Sequence, residues 1–254
     1  MIRFEQVTKC LGGRTVLDGI DLKIEEGETF FIVGTSGAGK SVVLKHMIRL
    51  LTPDSGRVWI GEDCVSEARG RFLEQIRARF GVLFQSAALL AWINAGDNVG
   101  LPLRQHTEKS DEEIDRLARE TLALVGLEEA FEKLPAELSG GMRKRVGLAR
   151  AIITKPKIIL YDEPTSGLDP VTARTIDALI DRLRQSLGVT SVVVTHDLHS
   201  ALSIASRIAM LDGGRIVEVG TPAEFVRSKN EMVQHFLESQ YITKRGRWEK
   251  AVES

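Results

Sequence analysis

Residues 29–41 read T-F-F-I-V-G-T-S-G-A-G-K-S, an apolar run that passes directly into a glycine-rich loop. The apolar part predicts a buried strand, and residues 42–51 behind the loop predict a helix. Between a strand and a helix, the pattern G-x-x-x-x-G-K-[ST] cradles phosphate, because its glycines let backbone N–H groups turn inward and the helix start adds partial positive charge. The sequence therefore predicts a nucleotide site formed by Gly34, Thr35, Ser36, Gly37, Ala38, Gly39, Lys40, Ser41 and Val42.

Four side chains carry the chemistry predicted for this site. The Lys40 ammonium is expected to reach the β- and γ-phosphates, and the Ser41 hydroxyl is expected to ligate Mg²⁺. A second apolar run over residues 158–161 ends in Asp162 and Glu163. An aspartate at such a strand end can hold Mg²⁺ through its water shell, and a glutamate just beyond it can polarise an attacking water. Read alone, the two carboxylates are as typical of a solvated turn, but beside a phosphate loop we interpret them as catalytic.

A second candidate phosphate contact lies in residues 138–142, which read L-S-G-G-M ahead of a helical run over 143–153. Ser139 is a suitable N-cap, and with the backbone N–H groups of Gly140 and Gly141 it predicts a helix start that can bind an anion. The alternative is an ordinary capped helix, which would be preferred if this segment stood alone. Its position upstream of the carboxylate pair favours the phosphate contact.

His196 and Gln85 each follow a predicted buried strand, over residues 191–195 and 82–84. A polar side chain at the carboxyl end of a strand in an α/β sheet faces the ligand crevice. There His196 could hydrogen-bond the γ-phosphate and the attacking water, and Gln85 could contact Mg²⁺ and water. A single histidine is more often structural and a single glutamine adds little, so both roles depend on the neighbouring motifs.

Composition places the chain among ordinary globular proteins. It has 254 residues, of which 43% are hydrophobic and 27% charged, and a formal net charge of −1. This charge gives no electrostatic footprint for nucleic acid or for an anionic membrane surface. The two cysteines indicate a reducing compartment, and we expect no secretory signal and no membrane span, since no run approaches the ~18 apolar residues that span a bilayer. We therefore expect any membrane role to depend on a partner protein.

The N-terminal third predicts a layer of antiparallel strands. Residues 1–26 alternate apolar and polar side chains, and residues 58–60 predict a further short strand of the same layer. A helical insertion follows, in which residues 111–125 have apolar side chains at helical spacing. Ser110 is expected to cap this helix, with Glu113 completing a capping box.

From residue 157 strands and helices alternate again, with a helix over 171–187 and a final hairpin over 208–217. Beyond the hairpin, a short helix has one apolar face, and the tail over 244–250 is charged. The tail is typical of a solvated chain end, whereas the apolar face could dock on a partner subunit. The residues of that face are Met232, Val233, Phe236 and Leu237.

In chain order, these motifs resemble the ATP-binding subunits of ABC transporters over roughly residues 2–225. The resemblance implies an α/β, P-loop NTPase fold with a mixed sheet core, an N-terminal antiparallel β layer and a helical subdomain. It rests on the phosphate loop, a Q-loop at Gln85, the signature 138–141, a Walker B strand through Asp162 and Glu163, a D-loop over 166–169 and the switch His196. The implied units are a single domain over 1–225, with a core of about 1–84 and 157–225 and a helical subdomain of about 85–156, then a C-terminal helix and charged tail over 226–254.

The resemblance also implies an ATPase that works as a homodimer. Two subunits sandwich two ATP molecules, and each site joins the phosphate loop of one subunit to residues 139–141 of the other. Glu163 would assist the attacking water, His196 and Gln85 would position the γ-phosphate, and Asp169 of the D-loop would contact the nucleotide. The implied ligands of Mg²⁺ are Ser41, Gln85 and Asp162.

Two positions depart from the family pattern. Leu11 stands before Gly12, where the family usually has an aromatic that stacks on adenine, so stacking on the base is expected to be weaker or supplied by another residue. Met142 ends the signature where glutamine is common, but its backbone can still form the helix start, so little loss of activity is expected.

Residues 84–103 are rich in apolar side chains beside the Q-loop, where the family receives a coupling helix from the membrane permease. Together with the L-S-G-G-M signature, this stretch looks like the ATPases of Mce/Mla-type systems, which move phospholipids or related lipids between the membranes of diderm bacteria. That implies permease subunits, an MCE-domain lipid-binding protein and a place on the cytoplasmic face of the inner membrane. The patch could instead be local core of the insertion.

Two other functions stay open for the chain as a whole. It could be the ATPase of a small-solute importer, for example for amino acids, since such subunits share much of the same pattern. It could also be a soluble ABC ATPase that acts on DNA or ribosomes, but one cassette without sustained heptads and a net charge of −1 argue against this.

Overall fold

The computed structural model describes residues 1–240 and 242, and its central layer is a six-stranded sheet. Five strands run parallel, and the sixth forms an antiparallel hairpin at one edge. Side chains of the parallel strands alternate between two hydrophobic clusters, so both faces of the sheet are covered. In spatial order the strands are β10 (Arg215–Gly220), β9 (Arg207–Asp212), β3 (Thr29–Val33), β8 (Thr190–Thr195), β7 (Ile158–Asp162) and β6 (Phe80–Leu83).

A second, antiparallel sheet of four strands shares the hydrophobic cluster on one face of the central sheet. The alternation over residues 1–26 forms its two long strands, and the predicted strand at 58–60 lies beside them, so the expected β layer is confirmed. In spatial order its strands are β2 (Arg14–Ile24), β1 (Ile2–Leu11), β4 (Ser55–Ile60) and β5 (Asp63–Cys64).

The register of the central sheet brings four strand ends to one edge. β8 lies between β3 and β7, and β6 lies outside β7. Val33 is opposite Thr195 and Asp162 is opposite Val194, so these strands end at nearly the same level. This edge is where ligands bind in open α/β sheets. The segments that follow the four strands carry the loop 34–41, Gln85, Glu163 and His196.

Helices on the two faces of the sheet differ slightly from their predicted bounds. The helix after the phosphate loop was expected over residues 42–51, but it begins at Lys40 and ends at Met47. It ends early because Arg49 takes a left-handed φ of 50°, which a helix cannot include. The strand predicted over 82–84 begins earlier and ends at Leu83. The helices are α1 (Lys40–Met47) and α2 (Gly70–Arg77) on the side of the second sheet, and α6 (Pro170–Leu187), α7 (Leu198–Ile204) and α8 (Pro222–Val226) on the other.

Three further helices pack on one another at the β6 side: α3 (Ala95–His106), α4 (Asp111–Leu124) and α5 (Gly140–Ile152). Ser110 caps α4 as predicted by accepting from the Glu113 N–H, but the Glu113 carboxylate pairs with Lys109, so the expected capping box is only half formed. α5 begins at Gly140 rather than 143, because the Ser139 cap lets both signature glycines enter its first turn. The division into a core and a subdomain over 85–156 stays a prediction.

The C-terminal helix α9 (Glu231–Ser239) packs on the chain's own core. Val233, Phe236 and Leu237 are buried in the cluster that also holds the side chains of α6, while Met232 is 51% exposed. Burial stabilises each of these three side chains by about 1.5–3 kcal/mol, so a partner-docking role for this face is wrong for three of its four residues. The charged tail over 244–250 lies outside the described residues. Within 1–240 and 242, no helix has the length and apolar character needed to cross a bilayer.

Candidate functional site

The phosphate loop between β3 and α1 has a backbone that only glycine fits at two points. A Cβ on Gly34 would lie 2.2 Å from the Leu211 carbonyl oxygen, and Gly39 has a φ of 102°. The loop tip over residues 35–37 is exposed, and α1 begins without a side-chain cap on its first N–H groups. An uncapped helix start beneath an exposed loop is the arrangement that binds an anion.

Lys40, the first residue of α1, is buried and folds back over the loop. Its Nζ donates to the carbonyl oxygens of Gly34 at 2.9 Å and Thr35 at 3.0 Å, and lies 3.7 Å from the Glu163 Oε1. Burial lowers the pKa of the Lys40 ammonium from its usual value, and the Glu163 carboxylate opposes that shift. The cation is thus held within the loop that is predicted to bind phosphate.

Ser41 and Asp162 meet directly across the site. The Ser41 Oγ donates to the Asp162 Oδ1 at 2.7 Å. One hydroxyl and one carboxylate oxygen suit Mg²⁺, which prefers hard oxygen ligands and keeps the rest of its shell for water and phosphate. In the part of the chain that the structure describes, no three His, Cys, Asp or Glu side chains are grouped to hold a metal ion by themselves. The donor set therefore fits Mg²⁺ bound together with nucleotide.

Glu163 lies just past the end of β7 and is only 9% exposed. Its Oε2 is 2.9 Å from the His196 Nδ1 and accepts from the Thr195 Oγ1 at 3.3 Å. With the Glu163 carboxylate as the acceptor, the His196 Nδ1 is the donor of this bond. Glu163 also has a left-handed φ of 49°, a backbone conformation that costs a non-glycine residue about 1–3 kcal/mol. The structure therefore brings the two residues predicted from separate strands into one strained, hydrogen-bonded group.

Thr195 and Lys144 also belong to this group, and the sequence interpretation identified neither of them. The Lys144 Nζ donates to the Glu163 carbonyl oxygen at 2.8 Å, and the lysine is only 6% exposed. Burial lowers the pKa of this ammonium, while the carboxylates of Asp162 and Glu163 oppose the shift. Lys144 lies one turn into α5, beyond the signature 138–141. None of the sequence motifs therefore predicts its contact with the end of β7.

Gln85 lies on the exposed loop after β6, the strand next to β7. The loop backbone is fixed farther on, where the Arg150 guanidinium donates to the carbonyl oxygens of Ala87 at 2.6 Å and Ala88 at 2.7 Å. Both alanines have left-handed φ values, of 60° and 47°. Gln85 is therefore beside the site, on a loop anchored to α5.

The signature residues form a second group that packs on the start of α6. Ser139 is exposed and accepts from the Met142 N–H at 3.2 Å. A Cβ on Gly141 would lie 2.5 Å from the Thr172 side chain, so α5 and α6 touch closely here. Asp169 caps α6 by accepting from the Thr172 N–H and hydroxyl, and these bonds keep the pKa of its carboxyl below the usual value.

Curated relatives of this chain include ATP-binding proteins named for transport. The family model described as ABC transporter matches residues 17–166. The probable ribonucleotide transport ATP-binding protein mkl of Mycobacterium tuberculosis is 40% identical over 241 residues, which are 95% of this chain and 67% of that protein. The methionine import ATP-binding protein MetN 1 of Pectobacterium atrosepticum is 45% identical over 226 residues, 87% of this chain and 66% of that protein.

Solved structures with this fold are ABC cassettes. A bacterial ABC transporter cassette solved as a dimer has a TM-score of 0.81 and 36% identity, and the match covers 87% of this chain and 99% of that one. A dimeric cassette in a post-hydrolysis state, bound to ADP and Pi, has a TM-score of 0.80 and 35% identity, with the same coverage. Both matches confirm the predicted fold class. Since the family model spans more than half of the chain, this protein belongs to the ABC transporter family and is one of its ATP-binding, ATP-hydrolysing subunits.

Proposed function

We propose that this subunit powers an inner-membrane ABC transporter and that two copies close around two ATP molecules. The observation that carries this proposal is the separation of the two phosphate contacts. Lys40, Ser41, Asp162 and Glu163 meet at the start of α1, whereas the start of α5 contacts the first turn of α6. A helix start with an exposed cap and no acid–base partners suits the phosphates of a nucleotide held by a second copy.

The residues around Glu163 support a hydrolytic role. With ATP bound, the Lys40 ammonium would turn from the Gly34 and Thr35 carbonyl oxygens to the β- and γ-phosphates. Glu163 would accept a proton from the attacking water, and His196 would bond the γ-phosphate. Mg²⁺, held by Ser41 and Asp162 with Gln85 nearby, would supply charge neutralisation on the phosphate oxygens.

Residues 84–103 support docking of a permease. Ala87, Ala95, Val99 and Leu103 of this stretch are buried as local core, but Trp92 is 76% exposed. The loop that carries Trp92 is held by Asn98, whose amide nitrogen lies within hydrogen-bond distance of three carbonyl oxygens in residues 90–94 and whose amide oxygen accepts from the Leu90 N–H. A fixed, exposed tryptophan is a suitable anchor for a partner. It would place the subunit on the cytoplasmic face of the inner membrane.

For the cargo we propose phospholipid or a related lipid, moved between the membranes of a diderm bacterium with an MCE-domain partner. The support is the resemblance of residues 84–103 and of the L-S-G-G-M signature to Mce/Mla-type ATPases. The alternative is import of a small solute, favoured by relatives whose names specify methionine import and ribonucleotide transport.

The proposal is tested with Glu163→Gln, which keeps the shape of the side chain and removes the general base. With ATP and Mg²⁺ the variant should hydrolyse at least ~100-fold more slowly and run as a dimer in size-exclusion chromatography. Lys40→Ala is the matched control, because it should stay monomeric under the same conditions. A monomeric Glu163→Gln would overturn the two-copy site.

The cargo is tested by affinity purification of Glu163→Gln with ATP from detergent-solubilised membranes, followed by mass spectrometry of proteins and lipids. A permease with an MCE-domain protein and phospholipid would support lipid transport. A permease with a solute-binding protein would support the importer instead, and recovery without any membrane protein would contradict both.

A further inference from the structure

Lys144 is a buried cation that the predicted catalytic groups do not include. It lies on α5, four residues after Gly140, which is just over one helical turn from the signature glycines. Its Nζ crosses to the end of β7 and donates to the Glu163 carbonyl oxygen at 2.8 Å. Lys144 is only 6% exposed, and burying its charge costs free energy unless the charge is compensated. We therefore expect the contact with Glu163 to have a role that offsets this cost.

The carbonyl that Lys144 holds belongs to the strained residue. Glu163 takes its left-handed φ of 49° with its N–H bonded to the Val194 carbonyl at 2.9 Å. Its own carbonyl accepts from the Ser166 N–H at a long 3.3 Å, so Lys144 provides the shorter bond. Such a conformation persists only where the surroundings fix it. Lys144 therefore helps to hold the peptide that aims the Glu163 carboxylate.

Charge gives Lys144 a second effect. The charges of Asp162 and Glu163 act on the ammonium groups of both Lys40 and Lys144, which lie against the Glu163 carboxylate and the Glu163 carbonyl respectively. Lys40 is the one expected to turn toward phosphate, which leaves Lys144 as the cation that stays beside the acids. A hydrogen bond from a charged donor is about twice as strong as a neutral one, which suits a contact that must survive this exchange.

We propose that Lys144 is a positioning residue that couples the signature helix to the catalytic glutamate of the same subunit. The inference rests on the proposed roles of Glu163 and residues 139–141. When the first turn of α5 meets the nucleotide of the other copy, a shift of α5 moves Lys144 and, through one hydrogen bond, the Glu163 peptide. The Glu163 of each subunit thereby responds to whether the start of α5 has closed on the nucleotide of the other copy.

The test compares Lys144→Met, which keeps an unbranched side chain one heavy atom shorter and removes donor and charge, with Lys144→Arg, which keeps donor and charge. Arg145→Met is the matched control, because that neighbouring cation donates to the Val125 and Gly126 carbonyl oxygens instead. We expect Lys144→Met to lower kcat for ATP at least ~10-fold with KM within ~3-fold. Lys144→Arg should recover most of the loss, and Arg145→Met should keep kcat.

A double variant separates positioning from assembly. Lys144→Met combined with Glu163→Gln should still form the ATP-bound dimer, since Lys144 acts on the chemical step. In a cycle with Ser139→Ala, the two losses in kcat should be less than multiplicative, because both variants interrupt the same coupling.

Three outcomes of these experiments would contradict either the inference about Lys144 or the proposed function. If Glu163→Gln blocks hydrolysis and Lys144→Met does not change kcat, the inference is overturned and the proposed function stands. If Lys144→Met and Arg145→Met lose kcat and thermal stability equally, the role is structural and the inference is overturned. If Glu163→Gln hydrolyses normally, the proposed function itself fails.

Discussion

Two helices of this chain begin at a predicted phosphate contact, and they are built differently. α1 follows Gly39 without a side-chain cap, and its first residue, Lys40, is buried against Glu163. α5 follows Ser139, an exposed serine whose hydroxyl accepts from the Met142 N–H. The first start is surrounded by a cation, a hydroxyl and two carboxylates, whereas the glycines of the second pack on Leu168 and Thr172 at the beginning of α6.

The difference teaches how one chain can divide a reaction between two copies. The uncapped start leaves its N–H groups for a ligand and holds the acid–base groups within one buried cluster. The capped start of α5 is stable without a ligand, so it can stay exposed to solvent when no nucleotide is bound. We infer that the start of α1 binds the nucleotide and that the start of α5 senses the second copy.

Removing the cation of the first start should have the largest effect. Lys40→Ala takes away charge-assisted bonds to the β- and γ-phosphates, each with a contribution of about 1.5–3 kcal/mol, so ATP affinity should fall at least ~100-fold. Isothermal titration calorimetry with MgATP measures this loss. Lys45→Ala is the matched control, an exposed lysine of the same helix that should bind ATP normally. Normal hydrolysis by Lys40→Ala would contradict the assignment of the first start.

Removing the cap of the second start should leave ATP binding intact. Ser139→Ala should bind MgATP within ~2-fold of the unmodified protein, but lose the ATP-dependent dimer and hydrolyse at least ~10-fold more slowly, since it removes the hydroxyl proposed to contact the phosphates of the second copy's nucleotide, a bond that contributes about 1.5–3 kcal/mol. Ser110→Ala is the control, because Ser110 caps α4 in the same way by accepting from the Glu113 N–H at 3.3 Å.

Both serine variants should lose similar stability in thermal unfolding, but only Ser139→Ala should lose the dimer. Equal dimerisation of the two variants would show that the start of α5 is an ordinary capped helix. If monomeric Ser139→Ala bound ATP more weakly, the starts of α1 and α5 would instead belong to one site in the same copy.

The last prediction concerns stability rather than nucleotide binding, in α6, which packs against the start of α5 through Thr172. Its Asp177 is 8% exposed and accepts from the Ser200 Oγ of α7 at 2.7 Å, and Ser200 also contacts Asp197. Burial, together with the charge of Asp197, raises the pKa of Asp177 from 3.8 to about 6. The folded protein therefore holds a proton that the unfolded chain releases.

This contribution to the free energy of unfolding is complete below pH 3.8 and is lost as the pH rises through about 6. Asp177→Asn cannot ionise, so its stability should fall less between pH 4 and pH 7.5, by about 2–3 kcal/mol. Urea unfolding across this range gives the slope. Parallel pH profiles for the two proteins would contradict the prediction.

Local pattern was sufficient for most of the fold. Continuous apolar runs predict β3, β7 and β8 because these strands are buried on both faces, and the loop 34–41 needs only its own glycines. Parallel strands end at one edge, so Glu163 and His196 could be expected near the loop. The roles of these residues and the domain boundaries stay predictions.

Contacts between distant elements were not visible in the sequence. Lys144 reaches Glu163 from another element, and nothing in a run of basic residues tells which one is buried. The apolar face of α9 has the right period for a helix, but period does not reveal what covers the face. α5 began early for a related reason, since two glycines are poor helix formers unless a cap stabilises the first turn.

The packing of α9 has a practical consequence for deletion experiments. Ending the chain after Ser228 would strip Val233, Phe236 and Leu237 from the core and expose Phe225, which is fully buried. Such a shortened protein would report misfolding and aggregation rather than a missing partner contact. A deletion that asks what the charged tail does has to retain every residue through Ser239.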